Sequence, residues 1–135
     1  MSENSNIAHL FAFKKSEKLC SKKLMDEVFE NGKSINKGCL RIIYLCKNEL
    51  PNTTNQVLIS VAKKRFKKAV DRNKIKRKIR EAYRLNRAEL QDLSKQQQQQ
   101  INLAIIYQTN EILTYQAIEA DLKNALVKLI SKIKL

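Results

Sequence analysis

The sequence predicts an α+β fold: a small two-layer α/β sandwich in the order α-β-β(-β)-α-β-α, with helices covering a mixed sheet. Three observations predict it. Apolar residues recur at helical spacing in three segments, short runs rich in β-branched and aromatic residues lie between them, and the two kinds of segment alternate. At 135 residues, 43% of them apolar, the chain suits one domain with a core of modest size.

Residues 1 to 12 are polar and weakly patterned and read as a flexible lead-in, leaving 13 to 135 as the domain. From Ser21, a candidate N-cap, the spacing of Leu24, Met25, Val28 and Phe29 predicts a first helix that stops at Gly32. "CLRIIYLC" (39 to 46) and "QVLISVA" (56 to 62) read as strands, and the turn-rich "KNELPNTTN" between them suggests an antiparallel pair. Ile75, Ile79, Ala82 and Tyr83 are the buried stripe of a second helix from about Ala69 to about Leu93. The glutamines at 96 to 100 read as a low-complexity loop spanning 95 to 100, and "INLAIIY" (101 to 107) as a well-buried strand. Ile118, Leu122, Leu126, Leu129, Ile130 and Ile133 define a third helix, with Thr114 as N-cap and Lys128 and Lys132 late, where they suit the dipole. The second helix joins the strand before it to the strand after it, which would let those two lie parallel.

Composition excludes several chemistries. The single histidine, His9, leaves no material for His-assisted nucleophiles or His-based zinc sites, and Gly32 and Gly38 cannot build a phosphate-cradling loop. Cys20, Cys39 and Cys46 have no metal-ligand spacing and read as reduced thiols. No catalytic residue and no metal ligand is expected in the chain. No apolar run reaches the roughly 18 residues of a spanning helix, and the start lacks a leader pattern, so the expectation is a cytoplasmic protein without a membrane partner.

The charge is concentrated. The whole chain carries +14, and between Lys63 and Arg87 there are 13 cations against Asp71 and Glu81, so this segment holds +11 of it. At 100° per residue, Asn73, Arg77, Arg80, Arg84 and Arg87 form one stripe opposite Ile75, Ile79 and Ala82, with Lys76 at its margin. A merely solvated face mixes signs, because like charges at i, i+4 repel by a few tenths of a kcal/mol. Closely spaced phosphates turn that repulsion into binding through counterion release. Asn73 suits either a base edge or 2'-hydroxyl, or its own backbone near the helix start.

"ISVAKKRFKKAVDRNKIKRKIREAYR" resembles the signature of the bacterial ribonuclease P protein subunit, an Arg-Asn-Arg element on a helix after a Ser-Val-x-Lys-Lys strand end. "FKKSEKLCSKKLMDEVFENGKSI" is similar to that family's first helix, and the likeness extends over nearly all of the chain after Phe13. The resemblance implies a subunit without its own catalytic centre, partnered by a catalytic RNA and by precursor tRNA whose 5' leader is removed with Mg2+. No obligate protein partner is evident. It also implies a left-handed β-α-β crossover, against the general preference.

Carried over by position, the RNA-binding set is Lys63, Lys64, Arg65, Lys68, Arg72, Asn73, Lys74, Lys76, Arg77, Arg80 and Arg84. Lys74 stands where the family has Arg, and "KRFKKAV" is one residue longer than the usual approach and lacks its glycine. The leader cleft is expected at Phe13, Met25, Phe29 and Tyr44, with Met25 in place of the commoner Phe. A general RNA-binding module would share the basic content but not the first-helix pattern. An autonomous metal-dependent nuclease would need clustered carboxylates, and those here are scattered.

Overall fold

The computed structural model describes residues 17–19, 21–48 and 54–134; the lead-in at 1–12, Phe13 and Cys20 lie outside the described residues. Helix α1 (Lys22–Asn31) begins where the Ser21 hydroxyl accepts from the Leu24 N–H at 3.4 Å and ends as the Gly32 N–H donates to the Val28 carbonyl. Gly32 has an ordinary negative φ of −74°. Its role is room: a Cβ there would collide with the Val28 carbonyl and stand 2.7 Å from the Ile43 side chain.

A hairpin follows, β1 (Lys33–Lys37) and β2 (Leu40–Asn48). Its turn needs glycine at Gly38, which sits at φ +53° with the Asp121 carboxylate where a Cβ would go. Asp121 accepts from the Cys39 N–H at 3.0 Å, tying the turn to the last helix. β3 (Gln56–Val61), α2 (Ala69–Asn86), α3 (Ala88–Gln97), β4 (Gln99–Tyr107) and α4 (Tyr115–Lys134) complete the chain. Thr114 caps α4 by accepting from the Ala117 N–H, as its sequence predicts.

The sheet order is β1-β2-β4-β3, with β4 antiparallel to β2 and parallel to β3. The β3 to β4 crossover is thus parallel, as expected, but β2 and β3 are not a hairpin pair. β4 lies between them because its run is buried almost throughout, which only a central strand with both faces covered accommodates. The main core fills the face under α2, α3 and α4, from Leu40, Ile42, Leu103 and Ile105 to Ile75, Ile79, Ile118 and Leu122. α1 packs on the opposite face, where Val28 meets Ile43 and Ala104.

Two further expectations are corrected. The second helix is two helices, divided at Arg87, and the glutamine run is not a loop. Gln96 and Gln97 end α3, Gln98 makes the turn at φ 53°, and Gln99 and Gln100 open β4. The run is secured by Asn55, whose side-chain oxygen accepts from the Ile101 N–H and the Ser94 hydroxyl, and by Gln100, which donates to the Thr54 carbonyl.

Candidate RNA interface

The approach to α2 is built by two anchors. Phe66 is buried against Tyr107, ring centroids 6.0 Å apart, and the Arg72 guanidinium reaches back to donate to the Phe66 carbonyl at 2.7 Å and the Lys67 carbonyl at 3.0 Å. The Arg65 and Phe66 N–H groups both donate to the Ala62 carbonyl, and the Arg65 guanidinium donates to Asn110. The longer, glycine-free approach is therefore closed by a buried ring and an arginine clamp. Lys63, Lys64, Lys67 and Lys68 are left projecting into solvent.

Along α2, Asn73, Lys74 and Arg77 are exposed, while Lys76, Arg80 and Arg84 are half-buried along their stems. The N-terminal dipole of α2 adds partial positive charge beside Arg72 and Asn73. Arg84 pairs with Glu81 one turn away, Nε to Oε2 at 3.1 Å, which holds the Glu81 carboxyl below its ordinary range. Lys78, on the margin of the face, donates to the Leu113 carbonyl at 2.8 Å and fastens α2 to the segment before α4. One member of the stripe leaves it: Arg87 is buried and paired with buried Glu17 at 2.6 Å, so it is a structural cation.

The other face of the sheet carries α1, packed through a small apolar cluster. On that helix Met25 is half-buried against the cluster that includes Ile43, Leu58, Ala104 and Ile106, whereas Phe29 is 47% exposed and outside it. Phe13 lies outside the described residues. Tyr44 is corrected: alternation turns it to the opposite face, where it is buried in the main core and registers with Leu103. β2 turns its neighbour Ile43 toward α1 instead. The same alternation puts Arg41 on the α1 face of the sheet, exposed and donating to Ser34 at 3.0 Å. Arg41 was legible as a cation in a strand, but its face was not, because apolar residues flank it on both parities.

Among the described residues no group of three or more His, Cys, Asp or Glu side chains could hold a metal ion, and no helix is long and apolar enough to cross a membrane. Cys39 is buried beside Asp121, and that desolvation, with the carboxylate, pushes its thiol up to about 12. Cys46 is raised by burial as well. Neither is a poised nucleophile.

Comparison with known proteins agrees with this geometry. The family model described as Ribonuclease P matches residues 13–130. A ribonuclease P protein component of Porphyromonas gingivalis is 34% identical over 119 residues, covering 88% of this chain and 87% of that one. One from Clostridium botulinum is 36% identical over 84% of this chain and 95% of its own length. The RNase P proteins of Staphylococcus aureus (TM-score 0.67, 22% identity, 85% of this chain and 96% of that one) and Thermotoga maritima (TM-score 0.65, 21% identity, 83% and 96%) share the fold. A charged helix on one face of the sheet and a match along most of the length lead to one conclusion: the chain belongs to the ribonuclease P protein component family, and with it to tRNA processing.

Proposed function

We propose that the chain is the protein subunit of ribonuclease P, binding the catalytic RNA subunit along α2 and its approach loop and the 5' leader of precursor tRNA beside α1. On this reading it assists Mg2+-dependent endonucleolytic removal of the leader, and the catalytic centre is in the RNA. The observation that supports it most is the +11 segment, in which Lys63, Lys64, Lys67, Lys68, Lys74 and Arg77 are exposed while Ile75 and Ile79 of α2 are buried in the core. On the same reading the Mg2+ is bound mainly by the RNA subunit and substrate. The hydrolytic work takes place in the cytoplasm.

On this reading the leader runs along the α1 face, where the exposed Phe29 ring offers a base a stacking surface and the exposed Arg41 a cation for the connecting phosphates. The test is recovery of bound RNA from cells with the tagged full-length chain. One large structured RNA together with tRNA precursors supports the proposal, whereas ribosomal subunits or mixed transcripts would replace it with a general RNA-binding role.

A further inference from the structure

A cavity of about 340 Å³ lies between α2 and the first turn of α4, walled by Lys74, Arg77, Lys78, Glu81 and Tyr115. Two of its charges are committed to the scaffold, Lys78 to the Leu113 carbonyl and Glu81 to Arg84. Lys74 and Arg77 are exposed, and neither makes a hydrogen bond or ion pair among the described residues. They are cations available to an anion.

The aromatic wall is the unusual part. Of six aromatic side chains among the described residues, Tyr44, Phe66, Tyr83 and Tyr107 are buried; of the other two, Phe29 is exposed on α1 and Tyr115 lines this cavity. Its hydroxyl donates to Glu119 at 2.8 Å, and Glu119 also accepts from Asn86 at 3.3 Å, so the ring is fixed between α2 and α4. With the hydroxyl engaged, what the side chain offers a ligand is its π-face. Burial and the Glu119 contact push the phenol up to about 12, so the ring stays neutral beside an anionic chain.

We infer that Tyr115, Lys74 and Arg77 form a seat for one unpaired nucleotide of the RNA partner, the base stacking on the ring and its flanking phosphates meeting the two cations. This deepens the RNA-binding reading and rests on it. The pairing of a stacking surface with backbone charge is what unpaired nucleotides recognise, and the volume is at the small end of the roughly 300–1,000 Å³ of ligand sites. The contact extends the interface from α2 onto α4.

The chain contains no tryptophan, so full-length Tyr115→Trp places a single indole in the cavity. Titrating that variant with the ribonuclease P RNA subunit should quench its emission as the complex forms, with affinity close to that of the native protein. Tyr115→Leu should weaken binding about tenfold at every salt concentration while leaving the salt slope unchanged, and Tyr115→Phe should bind as the native protein does. Thermal unfolding of each variant checks its fold, and the Tyr115→Trp quench decides the matter if Tyr115→Leu does not fold. Unchanged indole emission at saturation overturns the seat alone, as does native affinity in a folded Tyr115→Leu. A native protein that does not bind the RNA overturns the reading beneath it.

Discussion

Single residues separate charge that holds the fold from charge that faces outward. Arg87 and Arg77 share a stripe on the helical wheel, yet Arg87 is buried with Glu17 and Arg77 is exposed. Removing one partner of a buried pair leaves the other uncompensated, so Arg87→Ala should cost about 3 kcal/mol, lowering Tm by roughly 10 °C, with the salt slope of RNA binding unchanged. Arg77→Ala should do the reverse, leaving Tm intact and flattening the slope by about one phosphate contact. Thermal unfolding and a salt titration on the same two variants check both. The wheel could not separate the pair, because burial of Arg87 depends on a carboxylate 70 residues away. Tyr44 was misplaced for a related reason: "IIYL" is apolar at every position, so the alternation that tells the faces apart is absent where both faces are covered.

Elements were legible in proportion to their own periodicity. α1 and α4 were read with their caps because cap, stripe and stop all agree locally. The division of α2 from α3 and the strand start within the glutamines were not, since both depend on partners elsewhere: Glu17 for Arg87, and Thr54 and Asn55 for Gln100 and Ile101. β1, with Ile35 as its one apolar residue, has too little pattern of its own for a strand to be read at 33 to 37. The approach to α2 yields an element-scale prediction. Arg72 closes it through two carbonyls, so Arg72→Ala should speed amide exchange at Arg65 and Phe66 and reduce RNA affinity more than Arg77→Ala does. Equal losses from both variants would reduce Arg72 to one generic charge. In the hairpin, Gly38→Ala should lower stability by at least about 1 kcal/mol in a urea titration, because it combines a positive φ with a clash at Asp121.

At the scale of the whole molecule, the sheet keeps two surfaces apart: α2 and α4 present charge from one face, and α1 packs on the other. The core that joins them should respond to alkali. Burial raises Cys39 from 9.0 to about 12 and lifts Tyr83 above its ordinary 10.0. Unfolding releases both groups to ionise at their ordinary values, so the unfolded chain binds fewer protons than the folded one above about pH 9. The stability they contribute is fully present below that pH and is lost as pH rises toward 12, which a series of urea midpoints from neutral pH upward would follow. The function assigned to this architecture has one most direct test: the rate at which the ribonuclease P RNA subunit removes the leader of precursor tRNA at low Mg2+, with and without the full-length chain. The account predicts that the native protein restores cleavage and that the double variant Arg77→Ala, Arg80→Ala restores much less. Absence of stimulation, or cleavage by the protein with RNA excluded, would contradict it.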